Sequence, residues 1–263
     1  MKKYIVIGNP IEHSLSPKLH NYWIKNNNIN AIYEKQKLNE SEIKSLILKI
    51  RDRKLNGINV TVPFKKTVIP YLDQLSLEAK STQSVNTIYL NNEKVIGHNT
   101  DISGFELGIK NSKFKVRGKK ILILGAGGVV PSIIFALNKM KVSRITISNR
   151  TKDKAENLKI FFEDLIITDW GVIPEFDVII NATSVGLNKD DQINLDLSKV
   201  GKNKFFYDVI YNPKETNFLK IGKKMGNETE NGKLMFIYQA LTAFKVWHGV
   251  EPEINNEVIK LLD

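Results

Sequence analysis

A two-part α/β fold is predicted by three features of this 263-residue chain. Short apolar runs alternate with amphipathic segments ahead of Asp101, the alternation restarts after it, and a continuous apolar run, Ile121-Leu-Ile-Leu, leads directly into Gly125-Ala-Gly-Gly. The alternation is the rhythm of β-α-β units. The unbroken apolar run implies a strand covered on both faces, as in a parallel sheet, and the glycines after it permit a tight turn into a helix.

Taken in order, residues 4–7 read as a strand, 17–25 as a helix, 31–38 as a strand, 40–53 as a helix and 58–62 as a strand. Within the second helix Ile43, Leu46, Ile47 and Ile50 follow the i, i+3, i+4, i+7 spacing of one buried face. Residues 85–90 and 94–97 read as two strands joined at Asn91-Asn92. After Asp101 come a helix to about Asn111, the strand 121–124, a helix from near Val129, and strands at 144–148, 165–168, 178–181 and 205–210, a doubly wound nucleotide-binding pattern. Residues 234–247 are apolar around most of a helical circumference and read as a buried helix closing the interface between the parts. The expected domains are 1–101 with 234–263, and 102–233.

Composition excludes several classes. At 42% hydrophobic and 25% charged residues the chain is ordinary for a globular protein, and no run approaches the length of a membrane span. Lys2 and Lys3 lead straight into a short apolar stretch, too short for a signal peptide, so a cytoplasmic location is expected. The absence of cysteine removes disulfides and thiolate chemistry, and four scattered histidines give no metal cluster. The net charge of +11 is spread among interleaved acids with no basic block, which favours small anionic ligands over nucleic acid.

The turn at Gly125, Ala126, Gly127, Gly128 and Val129 sits where a coenzyme pyrophosphate would rest on the positive end of a helix. Gly125 permits the turn and Gly127 the close approach, whereas Val130 occupies the third fingerprint position and is expected to loosen or shift the packing of helix on strand. The next strand ends in Ser148-Asn149-Arg150-Thr151-Lys152, where an NAD site usually carries an acid. A guanidinium here pairs with a 2'-phosphate, so NADP is favoured.

In Gly57-Ile-Asn-Val-Thr-Val-Pro-Phe-Lys, alternation points Ile58, Val60 and Val62 into a core and Asn59 and Thr61 the other way, with Lys65 following at the strand end. Ser14 and Ser16, two apart, would face one way in an extended segment and grip a carboxylate; as a structural alternative Ser16 is a helix N-cap before Pro17.

These segments together resemble the shikimate dehydrogenase family, almost end to end and in the right order. The stretches that carry the likeness are His13-Ser-Leu-Ser-Pro, Gly57 through Lys65, Val85-Asn-Thr, Gly97-His-Asn-Thr-Asp, the Gly125 loop, Asn149-Arg-Thr, Asn181-Ala-Thr-Ser-Val-Gly, Tyr207-Asp-Val-Ile-Tyr-Asn-Pro, and Gly232 through Gln239-Ala. The resemblance implies NADPH-dependent reduction of 3-dehydroshikimate to shikimate, in the pathway to aromatic amino acids. It also implies an N-terminal substrate domain, a Rossmann coenzyme domain, C-terminal helices returning to the first domain, and a cleft that closes on both ligands. By this likeness Ser14 and Ser16 hold the substrate carboxylate, while Thr61, Asn86, Asp101 and Gln239 bind ring hydroxyls and the reacting oxygen. Lys65 and Asp101 become the catalytic pair, and Tyr211 borders the substrate. Thr183, Val209 and Gly232 lie beside the nicotinamide, and Asn149, Arg150, Thr151 and Lys154 lie toward the 2'-phosphate. Val130, Pro131 and Leu234 depart from the family pattern.

The chemistry is consistent with those roles. Hydride arriving at a ketone carbon builds charge on oxygen, which an ammonium can stabilise and then protonate. Rival expectations are a quinate/shikimate dehydrogenase using NAD, a methylenetetrahydrofolate dehydrogenase of related fold, and a non-catalytic NADP-binding metabolite sensor. A monomer or homodimer is expected.

Overall fold

The computed structural model describes residues 1–112, 114–188 and 190–263. The chain divides into two compact units, Met1–Gly104 with Ile237–Asp263, and Phe105–Phe236.

In the first unit the order is β1 (Lys2–Gly8), α1 (Ser16–Asn26), β2 (Ala31–Lys37), α2 (Ile43–Arg51), β3 (Gly57–Val60), β4 (Gln74–Leu75), α3 (Leu77–Thr82), β5 (Thr87–Asn91) and β6 (Lys94–His98), with the start of α4 (Asp101–Asn111). The sheet runs β2-β1-β3-β5-β6-β4. β1 pairs in parallel with β2 and β3, and β5 runs antiparallel to β3 and β6. The apolar stripe of α2 is buried as its spacing predicts: Ile43, Leu46, Ile47 and Ile50 are each at most 2% exposed and join Ile5, Ile7, Ile58 and Val60 in one core. Burying each such side chain is worth about 1.5–3 kcal/mol.

Local expectations fail where the pleat stops. Val62 does not enter the core but is 58% exposed. β3 ends at Val60, the Thr61 N–H goes to Ile7 O, and the Phe64 N–H closes a turn on Thr61 O, so alternation has no meaning beyond that point. The polar face of β3 is not solvated either, since Asn59 is 6% exposed. The β5–β6 turn falls at Asn92-Glu93 rather than Asn91-Asn92, because Asn91 pairs with Lys94 and both turn residues take positive φ, 47° and 61°. β4 and α3 carry no periodicity long enough to read from sequence.

The second unit continues through the rest of α4 to β7 (Lys120–Leu124), α5 (Val130–Lys139), β8 (Arg144–Ser148), α6 (Lys152–Glu156), β9 (Ile166–Thr168), β10 (Val178–Asn181), β11 (Phe205–Asp208), α7 (Asn217–Lys224) and β12 (Glu228–Glu230), ending in the first turn of α8 (Lys233–His248). Its sheet order, β12-β11-β10-β7-β8-β9, is parallel throughout. This is the Rossmann order, with its reversal between β7 and β10. Val130 is fully buried at the first residue of α5, with Pro131 beside it where a missing N–H loses nothing.

The remainder of α8 and α9 (Asn256–Leu261) return to the first unit. Trp247 of α8 donates from Nε1 to Ile88 O at 3.3 Å, and its indole lies so close to Gly57 that a Cβ there would fall 2.4 Å from Nε1. Glycine at 57 is therefore a packing requirement, fixed by a residue from the far end of the chain.

Candidate active site

In the first unit the predicted polar residues gather at one end of the sheet. β1 and β3 are parallel and β5 is antiparallel to β3, so the segments after β1 and β3, the start of β5 and the end of β6 share that end. Ligands of open α/β sheets bind outside such strand ends. Val60 N–H to Asn86 O at 2.8 Å and Val85 N–H to Lys65 O at 2.9 Å tie these segments together.

Lys65 and Asp101 are 8% and 6% exposed, and Nζ donates to Oδ2 at 2.5 Å. Asp101 opens α4, where the unpaired amides of a helix N-terminus favour a carboxylate. Its other oxygen accepts from Asn86 Nδ2 at 2.9 Å, and the same Nδ2 lies 3.5 Å from Gln239 Oε1 on α8. Ser103 and Thr242 hydroxyls meet at 2.9 Å and hold α4 to α8 beside this cluster. Lys65, Asn86, Asp101 and Gln239 thus form one hydrogen-bonded group whose ammonium and carboxylate are both withdrawn from bulk water.

Ser14, Ser16 and Thr61 belong to the same end of the sheet, on the segments that follow β1 and β3. The Ser14–Ser16 segment is not extended: Leu15 is helical at φ −88°, ψ 0°, and Ser16 is the first residue of α1 rather than its N-cap. The turn begins at Ser14, whose N–H bonds Ile11 O at 3.1 Å and whose Oγ accepts from Ser16 N–H at 3.3 Å. Thr61 packs its methyl against Gly8.

In the second unit the glycine loop lies at the β7/β10 reversal. Gly125 has φ +108°, and a Cβ there would meet Ala182 O at 2.9 Å, whereas a Cβ on Gly127 would meet nothing nearer than 3.9 Å. The first glycine is required by the turn; the second keeps the backbone open on the side a pyrophosphate would take. Ala126 and Val129 complete the loop, with Gly128 between them. Asn149 Nδ2 bonds Thr151 O at 2.7 Å and shapes the turn after β8, leaving Arg150 and Lys154 exposed. Val209 and Gly232 meet directly: a Cβ on Gly232 would fall 2.1 Å from Val209 O. Tyr211 stacks on Phe236, ring centroids 4.4 Å apart. The backbone cradle and the two exposed bases fit a dinucleotide with a 2'-phosphate.

Asn181 and Asp208 join two of the motif stretches of this region. Asp208, at the end of β11, is fully buried and accepts from Thr216 Oγ1 at 2.6 Å, Ile210 N–H at 3.0 Å and Asn181 Nδ2 at 3.1 Å. Asn181 in turn accepts from the Thr183 hydroxyl at 2.7 Å. Burial pushes the Asp208 carboxyl up to about 6, against the opposing pull of these donors. Thr183, through Asn181, and Ile210 are thus tied to one carboxylate, while the Val209 N–H bonds Asn181 O at 3.0 Å; the sequence signal is a polar residue ending each apolar strand.

A parallel sheet in Rossmann order with a glycine loop at its reversal, carried on one chain with a buried lysine–carboxylate pair, defines an oxidoreductase of the nicotinamide-nucleotide class. Residues 6–88 match the family model described as shikimate dehydrogenase substrate binding domain, and residues 108–216 match that described as shikimate / quinate 5-dehydrogenase. The chain belongs to the shikimate dehydrogenase family. It is 59% identical over 262 residues to the shikimate dehydrogenase (NADP(+)) of Pelagibacter ubique, covering 100% of this chain and 99% of the relative. The crystal structure of shikimate dehydrogenase from Aquifex aeolicus superposes with a TM-score of 0.91 at 38% identity, covering 100% of this chain and 97% of that one. The Thermus thermophilus enzyme, solved in complex with NADP(H) and shikimate, gives 0.89 at 28% identity, covering 100% and 97%.

Proposed function

We propose that this chain catalyses the reversible NADP-dependent reduction of 3-dehydroshikimate to shikimate. The observation that carries the reading is the buried contact of Lys65 Nζ with Asp101 Oδ2 at 2.5 Å in a chain of this family. Residues 1–101 with 234–263 take the substrate and 102–233 the coenzyme. Gly125, Ala126, Gly127, Gly128 and Val129 hold the pyrophosphate, Asn149, Arg150, Thr151 and Lys154 the 2'-phosphate end, and Thr183, Val209 and Gly232 the nicotinamide. When bound, NADPH supplies hydride to the ketone carbon.

Lys65 stabilises the charge that builds on the ketone oxygen and gives it a proton; in the reverse direction the same nitrogen takes the hydroxyl proton. Asp101 orients the ammonium, and with Asn86, Thr61 and Gln239 binds ring hydroxyls. Ser14 and Ser16 hold the carboxylate and Tyr211 borders the ring. Among the described residues no helix is long and apolar enough to cross a membrane. We place the reaction in the cytoplasm, carried out by a monomer or homodimer that does not engage nucleic acid.

The test is oxidation of shikimate and of quinate, each with NADP and with NAD, followed by reduced-coenzyme absorbance. Shikimate with NADP is expected to be fastest. A quinate rate with NAD as high would make the chain a dual-specificity enzyme, and four null rates would make it a non-catalytic binder.

A further inference from the structure

Behind Asp101 a line of buried polar side chains runs through the first unit from Tyr33 to the carboxylate, with the Thr100 hydroxyl branching from it 3.3 Å from Thr87 Oγ1 and 2.9 Å from Asn86 Nδ2. The Tyr33 hydroxyl donates to Asn59 Oδ1 at 2.7 Å. Asn59 Nδ2 therefore faces inward and donates to Thr87 Oγ1 at 3.1 Å and to Asn86 O at 3.0 Å. Thr87 Oγ1 donates to Asn86 Oδ1 at 3.0 Å, an oxygen that also receives Thr100 N–H at 2.8 Å. Asn86 Nδ2 is thereby turned to Asp101 Oδ1 at 2.9 Å, and Asp101 Oδ2 meets Lys65. Tyr33, Asn59, Thr87 and Asn86 are between 0% and 6% exposed.

An amide has one donating and one accepting end, so its orientation is set by its neighbours. A phenol, whose proton must go outward to an acceptor, is a group that can fix the sense of such a chain from its far end. Each donor polarises the next, strengthening the following bond by about 10–30%. The polarity terminates on a carboxylate, the one member that can take about four donors without offering any.

We infer that Tyr33, Asn59 and Thr87 are positioning residues for the reaction: they fix the orientation of the Asn86 amide and through it the placement of Asp101 against Lys65. None is proposed to touch substrate. The inference rests on the assignment of Lys65 and Asp101 as the reacting pair.

Tyr33→Phe keeps the ring and its stack on His20, whose centroid lies 4.2 Å away, and removes the hydroxyl that donates to Asn59. It is expected to lower kcat roughly 3- to 10-fold, with the KM for 3-dehydroshikimate unchanged within about 2-fold. Thr87→Val, which cuts the line next to Asn86, should lower kcat further, by roughly 10- to 30-fold. A merely structural role is separated by Asn21→Ala. Asn21 clamps the Tyr33 backbone, donating to its O at 2.8 Å and accepting from its N–H at 2.9 Å, without touching the hydroxyl. This variant should lose thermal stability and keep its kcat. Wild-type kcat in both Tyr33→Phe and Thr87→Val, or an equal loss in Asn21→Ala, overturns the inference. Lys65→Ala is run alongside: if it stays active the pair assignment itself is wrong, whereas an inactive Lys65→Ala beside unaffected Tyr33→Phe and Thr87→Val refutes only the positioning role.

Discussion

Lys65 and Asp101 stand 36 positions apart in the chain and meet at 2.5 Å, their side chains 10% and 8% exposed. Such a pair has two separable consequences. Removing the amine by Lys65→Ala should lower kcat by roughly 100- to 10,000-fold, the usual contribution of a general acid-base, with a much smaller change in substrate KM. It also strands the carboxylate, which should cost about 3–5 kcal/mol of stability. Steady-state kinetics and thermal denaturation on the same preparation check both, and a kcat near wild type removes Lys65 from the mechanism.

Ser14→Ala should act in the opposite manner. A contact to a carboxylate remote from the reacting carbon binds ground and transition states alike, so KM for 3-dehydroshikimate should rise roughly 10-fold while kcat holds. Because Ser14 Oγ also accepts from Ser16 N–H, Ser14→Thr, which keeps the hydroxyl, should recover most of the affinity. A loss confined to kcat contradicts the assignment.

How much of this was legible follows the range of each signal. The buried face of α2 was readable because Ile43, Leu46, Ile47 and Ile50 declare it within one helix. The glycine loop was readable because the strand before it and the helix after it are adjacent in sequence. Val62 was misread because a strand's end is set by its partners, here the bond from Thr61 N–H to Ile7 O, not by its own alternation. Glycine at 57 could not be explained from its neighbours, since the indole that excludes a side chain belongs to Trp247. Asn86 and Asp101 lie in no periodic segment; the family resemblance nominated them and paired Asp101 with Lys65, and the three-dimensional arrangement supplies the contacts that join all three. Asn181 and Asp208 went unassigned, each being half of a pair.

Arg150 is exposed just beyond β8, where an acidic residue would instead favour NAD. A charge-assisted hydrogen bond to a 2'-phosphate is worth about 1.5–3 kcal/mol, or roughly 10- to 100-fold in affinity. Arg150→Ala should therefore raise the KM for NADPH by that factor and leave NADH nearly unchanged. Equal Michaelis constants for the two coenzymes, before and after substitution, would falsify the assignment.

Acid should unfold the first unit through its histidines. His20 is 1% exposed, neither ring nitrogen has a hydrogen-bond partner among the described residues, and it lies among Trp23, Tyr33, Phe244 and Trp247. Burial, with a smaller contribution from the charge of His248, holds it down at about 3 against an ordinary 6.5. His248, in tilted ring contact with Tyr4 and Phe244, is held at about 4 by burial and then by Lys2. With folded values below unfolded ones, the unfolded chain binds more protons between pH 6.5 and these limits, so stability is complete above 6.5 and falls as pH drops. For His20 the slope is about 1.4 kcal/mol per pH unit, and half-buried His248 adds less. His20→Phe keeps an aromatic ring and removes both the titration and the unpartnered nitrogens. Urea melts at intervals from neutral pH to pH 4 should show the variant at least as stable as wild type at neutrality, and its loss of stability toward acid should be shallower by about that slope. Parallel profiles for the two proteins would mean that His20 takes no part in acid unfolding.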